Sequence, residues 1–113
     1  MRRGEIWLIN LDPTVGAEIK KTRPAVVVND DAIGILPLKV IVPITEWKDR
    51  YAVAPWMVRL DPDAENGLDK PSAADAFQVR LLSQARFVRQ WGRLSEAAMQ
   101  EITKALAVVL AIE

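Results

Sequence analysis

Within GAEIKKTRPAVVVNDD, Gly16 to Asp31, the apolar run Pro24 to Val28 is short, β-branched and closed by the turn-prone Asn29-Asp30-Asp31. It is too brief for a helix and reads as a central, buried strand. Upstream, Glu5 to Leu11 (EIWLINL) is apolar and β-prone and stops at Asp12-Pro13, which leaves a loop from Asp12 to Thr22. Downstream, Leu38 to Ile44 (LKVIVPI) reads as a third strand, and its Pro43 predicts an edge or a bulge close to Thr45. Trp56 to Leu60 alternates as a fourth strand, and Ala76 to Val79 is expected to be a fifth. The intervening DPDAENGLDKPSAAD, Asp61 to Asp75, is polar, with Gly67 and two prolines, and is predicted to be a surface loop.

From Ser95 the pattern changes to a helix. Ser95 is a suitable N-cap, Glu96 favours the dipole in the first turn, and Leu94 is placed to staple onto Met99. Met99, Ile102, Leu106, Val109 and Leu110 make a stripe at helical spacing. Beyond Ala105 the helix is apolar almost all round, so its end is either sunk in the core or turned to a second subunit. Short strands separated by turns, followed by one terminal helix, predict a mainly β (α+β) chain. The expected form is a small, strongly curved antiparallel β-barrel capped by the helix, in a single domain over residues 1–113.

With no His and no Cys among 113 residues, disulfides, thiolate nucleophiles, the usual general base and the commonest metal ligands are all excluded. Asp61, Asp63 and Glu65 imitate the start of a calcium loop, but Gly67 falls one place late and Ser72 stands where a bidentate Glu belongs. No metal or cofactor is expected. There is no apolar run of spanning length and no signal-peptide pattern, so a cytoplasmic protein without membrane attachment is expected.

The formal net charge is zero, yet the charges are segregated. Lys20, Lys21 and Arg23 crowd the end of the first loop, acids gather between Asp61 and Asp75, and Arg80, Arg86, Arg89 and Arg93 follow without an acid between them. A basic groove with an acidic rim suits a polyanion on one face. Pro24 restricts Arg23 to extended conformations at the start of a rigid strand. Its planar fork of donors matches phosphate oxygens, although a surface ion pair with Glu18 or Asp12 accounts equally for its presence. Thr45 supplies a neutral hydroxyl at a strand end. Lys20 and Lys21 add attraction for a nucleic-acid backbone, Trp47 in the polar TEWKDRY is a stacking or contact residue, and Asn29 and Gln78 are amides able to read base edges. Trp7 and Trp56 lie in strand patterns and are expected in the core.

On these residues the chain resembles the MazF/PemK/Kid toxins of bacterial toxin and antitoxin pairs. RRGEIWLINLDPTVGAEIKKTRPAVVVND is similar to the family's opening segment, VIVPIT to its central strand ending in Thr, NGLDKPSAADAFQVRLL to its Gly-Leu, Ser and Gln segment, and GRLSEAAMQEITKALAVVLAI to its terminal helix. The resemblance implies an SH3-like barrel and a homodimer that cuts single-stranded RNA at short sequences without a metal, leaving 2′,3′-cyclic phosphate and 5′-hydroxyl ends. It also implies inhibition by a cognate antitoxin. The family's catalytic arginine and threonine fall on Arg23 and Thr45, its Gly-x-Glu loop on Gly16 and Glu18, and its groove amide on Gln78. Glu18 is then a candidate base or an orienter of Arg23. Ile19-Lys20-Lys21-Thr22 departs from the Gly-rich or Gln-containing piece of many members. The rival readings are a toxin resembling CcdB, which binds DNA gyrase without cutting nucleic acid, and an SH3-like interaction module; neither needs Arg23 and Thr45 together.

Overall fold

The computed structural model describes residues 1–34 and 36–113. Seven strands are followed by one helix: β1 (Glu5–Asn10), β2 (Thr22–Val27), β3 (Leu38–Glu46), β4 (Met57–Leu60), β5 (Ser72–Asp75), β6 (Arg80–Ser83), β7 (Phe87–Arg93) and α1 (Glu96–Val109). All pairings are antiparallel, in the order β4-β5-β3-β2-β1-β7, with β6 also on β3. The end strands β4 and β7 do not pair with each other, so the expected barrel is an open one.

The run Pro24 to Val28 is continuously apolar because both faces of β2 are covered. Val26 and Val28 enter one cluster with Ile6, Val42, Ile44, Met99 and Ile102, while Ala25 and Val27 enter a second with Ile9, Leu11, Ile41 and Leu82. The first cluster is where α1 seats. Ser95 caps the helix by accepting from the Ala98 N–H at 3.1 Å, and Leu94 and Met99 meet in the same cluster, as the staple requires. Past Ala105 the apolar character is only partly absorbed by the core: Leu106 packs against the first cluster, while Val108, Leu110 and Ile112 remain exposed.

Two expectations are corrected. Pro43 is neither at an edge nor at a bulge but buried within a central strand. The N–H and C=O of Val40 face the β2 side, to Asn29 Oδ1 and the Val28 N–H, so the alternate residue 43 faces the other side. There β6 pairs with residues up to Ile41 and β5 begins at Ile44, which leaves a gap where no donor is needed. The fifth strand lies at Ser72–Asp75 and not at Ala76 to Val79, where residues Ala76–Gln78 form a 3-10 turn capped by Asp75. Four small or polar residues at 72–75 carry no β-branched signal, yet all are buried, because the strand is squeezed between β3 and β4. Strands β6 and β7 fall in the arginine-rich stretch, where charge masks the alternation.

The remainder of the predicted surface loop is also more ordered than its polarity suggests. Asn66 is buried; its Nδ2 donates to the Asp61 carbonyl at 2.9 Å, and its Oδ1 accepts from the Leu68 N–H at 3.0 Å. Gly67, at φ +72°, lies so close to β7 that a Cβ there would overlap the Trp91 carbonyl, and a Cβ on Gly92 would overlap that of Glu65. Glu65 in turn accepts from the Arg93 N–H at 2.9 Å. The loop is therefore laid flat against β7.

Candidate functional site

Strands β2 and β3 pair at Val27↔Ile41, Val26↔Val42 and Ala25↔Pro43 and then part, although both run on. Continued by two residues, the same register sets Arg23 opposite Thr45. β3 has by then turned to β5, with Thr45 opposite Ala73, so the two strands diverge and a cavity of about 400 Å³ opens between their ends. Arg23 and Thr45 both line it, with Lys21 on one side and Leu8 of β1 beneath. The far wall is Leu68, Asp69 and Lys70 from the loop folded by Asn66, and Trp91 of β7 completes it.

Arg23 is partly buried, and its Nε donates to the Lys20 carbonyl at 3.4 Å. Among the described residues no carboxylate lies within 4.0 Å of it, so the surface ion pair with Glu18 or Asp12 is not made. A guanidinium held by a backbone carbonyl, with no internal anion, retains donors for an external one. Lys21 adopts φ +70° and brings a second cation to the same cavity. At the rim Lys70 pairs with Glu46 at 3.6 Å.

The other sequence candidates are placed elsewhere. Glu18 Oε1 accepts from the Val15 N–H at 2.6 Å, bracing its own loop, and lines a separate cavity with Ala17 and Gln78. Gln78 uses both ends of its amide on that loop, accepting from the Ile19 N–H at 2.5 Å and donating to the Ala17 carbonyl at 3.2 Å. It thus fixes the segment that leads to Arg23. Asn29 is a turn residue: Oδ1 accepts from the Val40 N–H at 3.0 Å, and Nδ2 donates to the Ile33 carbonyl at 3.2 Å. Trp47 is partly buried under the Arg59 guanidinium, 5.0 Å from its ring, and edge-on to Tyr51. Lys20 is exposed and does not line the cavity. Trp7 packs on Phe87, but Trp56 lies at the surface against Phe77, contrary to its expected place in the core.

The arginine block divides by use. Arg80 donates to the Leu11 carbonyl, and Arg86 to the carbonyls of Asn10 and Asp12, so both clamp the β1–β2 loop; Arg89 and Arg93 stay exposed. Sequence reasoning missed Asp69, Lys70 and Trp91 as lining residues. Their only signal was the acidic, Gly-containing segment, whose approach to β7 is a tertiary contact.

Residues 2–110 match the family described as the PemK-like, MazF-like toxin of type II toxin-antitoxin systems. The chain is 35% identical to the endoribonuclease MazF9 of Mycobacterium tuberculosis, covering 97% of this chain and 96% of that protein. It is 34% identical to the endoribonuclease PemK of Escherichia coli, covering 97% of this chain and 82% of that protein. In fold it is similar to MazF of Deinococcus radiodurans, with a TM-score of 0.83, 24% identity and 99% and 97% of the two chains covered. It is also similar to a mycobacterial endoribonuclease solved with its cognate antitoxin, with a TM-score of 0.80, 20% identity and 100% and 97% covered.

Proposed function

Because the chain belongs to the PemK-like, MazF-like toxin family of type II toxin-antitoxin systems, we propose that it is an endoribonuclease toxin that cuts single-stranded RNA in the cavity between Arg23 and Thr45. The observation that carries this reading is the joint lining of one open cavity by Arg23, Thr45 and Lys21, with Arg23 free of any internal carboxylate among the described residues. A gyrase-binding toxin or an interaction module has no use for that arrangement.

RNA supplies its own nucleophile, the 2′-hydroxyl, which attacks the adjacent phosphorus. The P–O5′ bond breaks, the leaving 5′-oxygen takes a proton from solvent, and a 2′,3′-cyclic phosphate and a 5′-hydroxyl result. What the protein must add is stabilisation of the charge that gathers on the phosphorane, and a permanently charged fork on a rigid strand meets that need. Arg23 takes one non-bridging oxygen and the Thr45 hydroxyl donates to the other, while Lys21 holds a neighbouring phosphate. Glu18 lines a separate cavity and not the one that holds Arg23 and Thr45, so we do not assign it the base. Glu46, next in chain to Thr45 and lining the cavity, is the carboxylate we assign to accept the 2′-hydroxyl proton.

The reaction we assign calls on no metal, because RNA brings its own nucleophile and the Arg23 guanidinium supplies the charge stabilisation. The partners we assign are single-stranded RNA, a cognate antitoxin that covers the Arg23 cavity, and a second copy of the chain seated on the exposed end of α1. No helix of the described residues is long and apolar enough to cross a membrane, and we place the protein in the cytoplasm, where its substrate is made. The test is incubation of the purified protein with end-labelled RNA in excess EDTA. Cleavage with cyclic-phosphate ends is expected; activity lost on chelation and restored by magnesium would overturn the mechanism.

A further inference from the structure

The loop from Asp61 to Pro71 does more than wall the Arg23 cavity. A second cavity, of about 310 Å³, is lined by Gly67, Asp69, Arg89, Gln90 and Trp91. Asp69 and Trp91 line both cavities, so the two are adjoining rooms with one shared wall. That volume is at the lower end of the range of small-molecule sites and suits a single nucleotide. The wall is held in place, because Gly67 is pressed on the Trp91 backbone and Asn66 bonds the loop on either side of it.

We propose that this second cavity is a base-reading subsite for a nucleotide next to the cleaved phosphodiester, in which Asp69 selects guanine and Arg89 takes the accompanying phosphate. The proposal rests on the endoribonuclease reading of the Arg23 cavity. Neither Asp69 nor Arg89 is ion-paired to a described residue, so both remain available to a ligand. Trp91, which the two cavities share, packs its ring against the first core cluster, and its buried indole N–H has no hydrogen-bond partner among the described residues.

A carboxylate beside a polyanion would be repelled by the backbone, and its use there must be to meet donors. It only accepts hydrogen bonds, through two oxygens side by side. Of the four bases, only guanine presents two adjacent donors, N1–H and the 2-amino group, on its Watson–Crick edge. Adenine and cytosine set an acceptor beside their amino group, and uracil flanks its N3–H with two carbonyls, so each leaves a lone pair against the carboxylate. Single-stranded RNA exposes that edge, with the base face free to rest on an aromatic ring.

The experiment uses RNA octamers with 2′-fluoro in place of every 2′-hydroxyl, which cannot be cut, so binding is read apart from cleavage. A random pool is bound to the parent, Asp69→Asn and Arg89→Ala proteins, the retained octamers are sequenced, and each protein's fold is checked by thermal melting. The parent should enrich guanine at one position, and replacing that guanine by inosine, which lacks the 2-amino donor, should weaken binding by ~10-fold. Asp69→Asn should lose the enrichment there and show less than ~2-fold discrimination against inosine. Arg89→Ala should keep the guanine preference while the log-log salt slope falls by ~0.7. A folded Asp69→Asn protein with the parent's guanine preference, a parent with no guanine enrichment, or an unchanged salt slope in Arg89→Ala would each overturn the proposal. A parent that binds the octamers with these preferences but does not cut their all-ribose counterparts would remove the catalytic reading and leave the subsite standing.

Discussion

Replacing Asn66 by alanine tests whether a single buried amide builds the wall of the cavity. Asn66 is 2% exposed, and its side chain makes three hydrogen bonds: to the Asp61 carbonyl at 2.9 Å, from the Leu68 N–H at 3.0 Å and from the Asp63 N–H at 3.3 Å. At about 1 kcal/mol net for each bond, truncation costs about 3 kcal/mol, and more if the buried Leu68 N–H finds no water. Asn66→Asp retains an acceptor for Leu68 but sets an oxygen against the Asp61 carbonyl, so its loss should be comparable and should not be rescued by near-identical shape. The assay is urea unfolding followed by tryptophan fluorescence. With a slope of ~1–2 kcal/mol per molar for a chain of this size, the midpoint should fall by ~1.5–3 M. Single-turnover cleavage, measured where each variant is still folded, should drop as well, because Leu68, Asp69 and Lys70 line the Arg23 cavity. If Asn66→Ala unfolds within about 0.5 kcal/mol of the parent and cuts RNA at the parent's rate, the loop is held by its glycine contacts with β7 alone, and the reasoning from hydrogen bonds is wrong.

Arg23→Ala should melt as the parent does, since Arg23 makes no ion pair among the described residues, while the cleavage rate of bound RNA falls by ~100-fold or more; Arg23→Lys should recover only part of it. A folded Arg23→Ala protein that cuts bound RNA at full rate would return Arg23 to a structural role. The Asp75 carboxyl is raised from its ordinary value, chiefly because burial disfavours its charge, against which the backbone N–H groups of Phe77 and Gln78 work. A raised carboxyl pKa makes its contribution to stability complete below the unfolded value, and that contribution is lost as pH rises through the folded value. Asp75→Asn, which can still accept from Phe77, should therefore gain on the parent as pH is raised through and above the carboxylate range; paired melts at pH 4 and pH 7 (about the ends of that window) that show no difference in the gap would contradict this. With Val108, Leu110 and Ile112 exposed at the end of α1, sedimentation equilibrium at micromolar concentration should give twice the 12.6 kDa chain mass, and Leu110→Glu should return the chain mass.

Local pattern was enough wherever one residue run answers to one environment. Pro24 to Val28 is apolar at every position because β2 is covered on both faces, and Ser95 with its following stripe announces α1 because capping and helical periodicity are local chemistry. Arg23 before Pro24, and Thr45 at the end of an apolar strand, were legible as candidates for the same reason. Nothing local says that the two meet. That follows from the β2–β3 register and from the divergence of β3 toward β5, both of which are pairings between distant residues. The structure also decided against local appearances. Ser72–Asp75 is a buried strand without β-forming side chains because its neighbours supply the hydrogen bonds, and Pro43 sits in a central strand because its missing donor falls in the gap between β6 and β5. Glu18 and Gln78 look like groove residues in the chain, but their hydrogen bonds are spent on the loop that carries Arg23. Asp69 is one acid among several in a polar loop, and it meets Trp91 in the shared wall of two cavities only when Gly67 lets the loop lie on β7. A side chain's type is written in the sequence, but which of its hydrogen-bonding atoms are left over is settled only after the backbone pairings have taken theirs.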